Sequence, residues 1–253
     1  MSLKLSPSSS AKRKGEIFLL YAFSALGALL LSALIVEAVG ANWSDVWNAL
    51  LDGSFRKPGR WGRTLGSAVP MAMVAIGTII STKVGLINIG QEGQMLVGAA
   101  FAAYIGAHVP GPGPLVIFIV IISGFVGGAF WSGLAGALRY WRNVPEVLTT
   151  LLLVTVAANF VGYGLKNTWL LLDPDAAVGN RTQVSQQLDP DSRLPRIDIF
   201  GNNFSISVII SLLLIAFTFW LLSQTIVGFR LDVVGQNQKV GRRFGISEVR
   251  QGF

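Results

Sequence analysis

The stretch Ser81–Gly106, STKVGLINIGQEGQMLVGAAFAAYIG, decides how the chain is read. It begins beside a lysine, passes through Asn88, Gln91, Glu92 and Gln94, and ends in the small apolar residues expected of a membrane helix. A carboxylate withdrawn from water costs several kcal/mol unless it is paired or faces a wet cavity, so Glu92 cannot simply face lipid. Read as one helix, Asn88, Gln91, Glu92 and Met95 fall at i, i+3, i+4 and i+7 and share a face. Lys83 then marks a membrane boundary, with Asn88 to Gln94 about 7 to 17 Å along the helix from it. Two readings are open. Either the polar groups satisfy backbone freed around Gly85, Gly90 and Gly93 and hold a bend, or they line a solute path.

The rest of the chain supports a membrane setting. Of its 253 residues 52% are hydrophobic and only 13% charged, and the mean hydropathy is +0.58. That composition predicts an all-α, polytopic transmembrane helical bundle. Six segments, 17–39, 64–82, 85–106, 114–138, 147–165 and 205–225, are apolar over the length of about 20 residues that a bilayer requires. The first has no small-residue cleavage site after it and reads as a retained helix. Residues 1–16 read as a polar cytoplasmic tail.

The formal charge of +7 gathers at span ends rather than on a face interleaved with aromatics, which excludes nucleic acid as a partner and points to membrane lipid. A cytoplasmic N-terminus places Lys12, Arg13 and Lys14, then Arg139 and Arg142, then the basic residues from Arg230 to Arg250 on the inner side. Arg56, Lys57, Arg60 and Arg63 are the exception. With no cysteine there is no disulfide framework and no thiolate metal ligand. His108 is the sole histidine and sits in an outer turn, which argues against a zinc motif or catalytic triad. No phosphate-cradling G-x-x-x-x-G-K-[ST] loop occurs, so the chain is expected to bind no ATP, cofactor or metal itself and to have no catalytic residue.

Smaller features fill in the picture. Trp43 and Trp47 suggest an amphipathic helix at the interface, capped by Ser44 or Asp45. Pro70 either kinks its span or opens it onto a cavity. Gly98, Ala102 and Gly106, and likewise Gly124, Gly128, Ser132 and Gly136, recur every fourth residue and predict close helix packing. Asn159 and Tyr163 are candidates either for lining a path or for bonding between helices. Trp131, Trp141 and Trp169 lie near span ends as interface anchors. Residues 166–204 read as a long outer loop with little regular structure.

VGLINIGQEGQMLVGAAFAAYIG resembles the permease subunits of bacterial ABC importers of the ribose and branched-chain amino acid type. The likeness is nearest to their simple-sugar and nucleoside group, in which a G-L-x-N-I-G-x-E-G-Q segment opens a helix. Three further stretches resemble that group in the same order: PEVLTTLLL (Pro145 to Leu153), SRLPRI (Ser192 to Ile197) and GFRLDVVGQNQKVGRRFGIS (Gly228 to Ser247).

The resemblance implies a permease domain over 17–225 whose translocation path for nucleosides or simple sugars is lined by Asn88, Gln91, Glu92, Gln94, Asn159 and Tyr163. It implies a second permease subunit, an extracytoplasmic solute-binding protein, and an ABC ATPase subunit that holds the ATP. Residues 226–253 would be the cytoplasmic coupling segment, with Arg230, Gln236, Asn237, Lys239, Arg242 and Arg243 facing that ATPase. The setting implied is the bacterial plasma (inner) membrane. Val154 stands where many relatives have Asn, and Lys239 reverses the usual sign at its position. The chain ends at SEVRQGF, so the expectation is of a product lacking the family's last helices. The competing expectation is an ATP-independent secondary transporter or channel built on Glu92.

Overall fold

A computed structural model of the chain describes residues 7–175 and 184–246. The chain divides into two compact units, Met1–Trp61 and Gly62–Phe253. The first holds α1 (Pro7–Ala38) and α2 (Trp43–Leu51), followed by a single wide turn over Asp52–Arg56. On α2 the stacked rings of Trp43 and Trp47, 6.1 Å apart, share a stripe with Val46 and Leu50. The expected cap is corrected. Asn42 caps the helix and its Oδ1 accepts from the Ser44 amide at 3.0 Å, while Ser44 Oγ also donates to it. Two of the four basic residues that broke the charge pattern have local partners: Arg56 donates to Asn48 Oδ1 at 2.9 Å, and Lys57 lies 3.5 Å from Asp52.

The second unit carries most of α3 (Arg60–Lys83), then α4 (Gln91–His108), α5 (Gly113–Arg142) and α6 (Glu146–Gly164). Between α6 and the next helix lie a short 3-10 turn, Pro190–Ser192, and an antiparallel hairpin, β1 (Arg196–Ile199) and β2 (Asn202–Ser205). Arg196 pairs with Ser205 and Ile199 with Asn202. The two-residue turn puts Phe200 and Gly201 at φ of 54° and 71°, the primed geometry that suits a twisted hairpin. That part of 166–204 is therefore regular, contrary to the expectation of an irregular loop. The chain closes with α7 (Ile206–Gln224), α8 (Ile226–Gln236) and α9 (Gln238–Arg243).

Among the described residues five helices, rather than the six expected, are long and apolar enough to cross a bilayer: Gly15–Ala38 of α1, then α3, α5, α6 and α7. They expose large apolar side chains along their length, among them Phe23, Leu34, Phe125, Phe130, Leu213 and Phe219. Such surfaces require lipid or a neighbouring helix, and the chain is a multi-pass, all-α membrane protein.

The expected span at 85–106 is corrected. The residues from Val84 to Gly90 are not helical, and α4 starts only at Gln91. Asn88 therefore precedes the helix instead of sharing a face with Gln91, Glu92 and Met95. The small-residue seams are present as expected. A β-carbon at Gly124 would meet Ala102 Cβ at 3.4 Å, and one at Gly128 would meet the Gln94 carbonyl at 3.3 Å. His108 ends α4 rather than lying in the turn, with Nδ1 donating to the Tyr104 carbonyl at 2.7 Å.

Candidate functional site at the break between α3 and α4

Why the helix breaks is a matter of local backbone chemistry. Gly85 has φ +80°, the left-handed region that glycine enters at least cost. Around it the Leu86 amide reaches the Ser81 carbonyl at 3.0 Å and the Gly85 amide the Thr82 carbonyl at 3.0 Å. These are the paired bonds of a Schellman stop, so α3 ends here. The chain then restarts at Gly90. Asn88 Oδ1 accepts from the Gly90 amide at 2.8 Å, and Thr150 Oγ1 of α6 accepts from the Ile89 amide at 3.4 Å.

Glycine lets the new helix lie flat on α6. A β-carbon at Gly90 would stand 3.0 Å from Thr150 Cβ, and one at Gly93 would stand 3.0 Å from Val154 Cα. Gln91 reaches back across the break, its Nε2 donating to Thr78 Oγ1 at 3.1 Å. Asn88 and Gln91 are therefore bonded at the bend.

Asn88 and Gln94 also border a cavity. A space of about 260 Å³ lies among α3, the break, α4, α5 and α6. Asn88, Gln94, Arg139, Glu146 and Thr150 are among the polar residues that line it. Arg139 Nε is 3.8 Å from Glu146 Oε2 across the turn joining α5 to α6. Neutral amides, a hydroxyl and an ion pair around one small cavity suit an uncharged solute rich in hydroxyl or amide groups. A second space of about 310 Å³, among Phe101, Tyr104, Ile105 and Phe160, is almost wholly apolar and offers such a solute little.

Only two of the six expected path residues meet at the cavity. Gln91 is bonded to α3 instead, and Glu92 is exposed with no hydrogen bond or ion pair to the described residues. Asn159 donates to the Thr155 carbonyl of its own helix at 2.8 Å, and Tyr163 is exposed. Trp131 is not at a span end: it lies within α5 and donates to the Leu153 carbonyl of α6 at 3.2 Å. Arg139, Glu146 and Thr150 were not picked out as site residues from the sequence. The available signal was an arginine and a glutamate seven residues apart across a predicted turn, at Arg139 and Glu146.

On α8 and α9, Arg230, Gln236 and Arg243 are exposed, as is Asn237 between the two helices. Asn237 Oδ1 accepts from the Val240 amide at 3.2 Å and so starts α9. The side chains of Lys239 and Arg242, and Ser247 altogether, lie outside the described residues.

Comparison with known proteins places this arrangement. Residues 62–250 match the family model described as the permease component of the branched-chain amino acid transport system. A glucose ABC transporter permease protein of Haloferax volcanii is 26% identical over 230 residues, 88% of this chain and 59% of that protein. A guanosine ABC transporter permease protein of Bacillus subtilis is 26% identical over 226 residues, 87% of this chain and 62% of that protein. A nucleoside ABC transporter permease protein of Lactococcus lactis is 29% identical over 233 residues, 87% of this chain and 61% of that protein. No solved structure matches the chain. The chain thus spans about three-fifths of the length of the curated relatives it matches. The family match runs from α3 through the break and the cavity to α9 and beyond, and the chain belongs to the family of branched-chain amino acid transport system permease components.

Proposed function

We propose that the chain is the membrane-spanning permease subunit of an ATP-driven importer and forms part of the translocation path for nucleosides or simple sugars. The observation that carries this is the cavity of about 260 Å³ bounded by Asn88, Gln94, Arg139, Glu146 and Thr150 inside the family-matched region. Its lining suits a neutral polyhydroxylated solute, and relatives named for glucose, guanosine and nucleosides carry solutes of that kind.

In this reading the N-terminus is cytoplasmic, the membrane is a bacterial plasma membrane, and the cavity opens at its inner side. A partner ATPase binds and hydrolyses the ATP and docks against Arg230, Gln236, Asn237, Lys239, Arg242 and Arg243. A second permease subunit meets the exposed face of α4 that carries Glu92, which gives that carboxylate a polar setting. An extracytoplasmic binding protein delivers solute to the segment around the β1–β2 hairpin.

The test is affinity purification from the native membrane in mild detergent, with mass spectrometry of what travels with the chain. Recovery of an ATPase and a solute-binding protein is the expected result. Recovery of the chain alone, in a form that moves solute without ATP, would overturn the reading in favour of a secondary transporter or channel.

A further inference from the structure

We infer that α8 positions the break between α3 and α4 and thereby sets the opening of the cavity, with Lys83, Asp232, Gly85 and Gly235 as the positioning residues. Lys83 Nζ, in the last turn of α3, donates to both carboxylate oxygens of Asp232 on α8, at 2.7 and 2.9 Å. Three residues along α8, Gly235 lies against the backbone of the break. A β-carbon there would run into the Lys83 carbonyl, and one at Gly85 would stand 3.1 Å from the Gly235 carbonyl. Two backbones in direct contact have no side-chain slack between them, so a shift of one displaces the other.

The apolar contacts point the same way. Val84 and Leu86 of the break pack with Leu231 and Val234 of α8 in one buried cluster. Val84 and Leu86 also line the cavity. The same two side chains therefore face α8 on one side and the solute space on the other. Asn88 follows two residues later and holds the start of α4 through the Gly90 amide. A tilt of α8 reaches the cavity wall through a single packed layer. For a permease whose ATPase acts from α8 and α9, a point that rests on the proposed function, this names the part of the path that would move.

The chain has no cysteine, so Gln94→Cys places one thiol in the cavity wall. The experiment measures the rate at which a water-soluble maleimide labels that thiol in the full chain in lipid nanodiscs. Thr168→Cys, on the exposed segment after α6, serves as the control thiol. Asp232→Asn, which keeps the side-chain shape, is expected to change labelling at position 94 by roughly two- to thirtyfold, the span of coupling energies carried by packed contacts. Asp232→Glu should restore the parent rate, and the control thiol should not respond to either substitution. Unchanged labelling at position 94 in both Asp232→Asn and Gly235→Ala would overturn the inference, as would an equal change at both thiols, which marks general loosening. The measurement needs neither ATPase nor solute, so the purification test can fail without touching it.

Discussion

A β-carbon placed on Gly98 of α4 would stand 2.7 Å from the Gly124 carbonyl oxygen of α5, closer than real atoms of these kinds approach. The two helices meet backbone to backbone, as membrane helices do where glycine removes the side chain. Gly98→Val is therefore expected to lower stability by about 1 to 3 kcal/mol through overpacking. Gly133→Ala on α5, where a β-carbon meets nothing within 4 Å, should leave it unchanged or slightly raised. Thermal unfolding of the purified chain in detergent reads both, and equal melting points for the two variants would contradict the seam.

Thr150 is 2% exposed, and its hydroxyl accepts the Ile89 amide across the gap from the break to α6. Thr150→Val keeps the volume and removes the acceptor, leaving that amide without a partner. The bond is long, so the expected loss is about 1 kcal/mol, the low end for an orphaned donor. Hydrogen exchange at Ile89 should quicken in Thr150→Val and stay near the parent rate in Thr150→Ser.

Asn88 has two duties at once, bonding the Gly90 amide and facing the cavity. Asn88→Ala should cost about 1 kcal/mol through the lost hydrogen bond to the Gly90 amide and should also weaken solute uptake by the assembled transporter. Asn88→Asp keeps the accepting oxygen and so should recover most of the stability. An Asn88→Ala protein with parent stability and parent uptake would remove Asn88 from both roles.

Glu92 is exposed on the first turn of α4 and carries the contrast between the two transport mechanisms. Glu92→Gln is expected to lower ATP-driven uptake while leaving uptake independent of proton and sodium gradients, as in the parent. Loss of an ion dependence that the parent possesses is the outcome that would favour a secondary transporter.

Arg230 and Arg243 are exposed on α8 and α9, where the proposed function docks the ATPase. Reversing both to Glu should leave the melting point of the isolated chain within about 0.5 kcal/mol equivalent, as substitutions at open surface positions do. The amount of ATPase recovered with the chain should fall. Unaltered recovery would move the docking surface elsewhere on the chain.

Five of the six expected membrane spans, all but 85–106, were legible because a bilayer demands about 20 apolar residues in a row, a property that survives in the sequence without its partners. The small-residue seams were legible for a similar reason: spacing of four puts Gly98 beside Ala102, and Gly124 beside Gly128, on one side of a helix whatever it meets. The stop at Gly85 was written locally too, in a lysine at the end of α3 and a glycine two residues later, but a helical period drawn through Asn88 hid it. Periodicity sets Asn159 and Tyr163 on one face of α6; it does not say whether that face meets a neighbour, and here it is exposed.

What only the tertiary structure decided is the cavity and the link beneath it. Lys83 and Asp232 are 149 positions apart, and Thr150 reaches Ile89 across 61. A hydrogen bond or ion pair depends on distances of about 3 Å in space, and no run of neighbouring residues encodes those until helices from distant parts of the chain are packed together. By itself the sequence determined a multi-pass helical membrane protein, because lipid imposes length and composition on each segment separately, and the resemblance of four ordered stretches pointed to a permease. The packing decided that Asn88 and Gln94 share one cavity with Arg139, Glu146 and Thr150, and that α8 lies directly against the break.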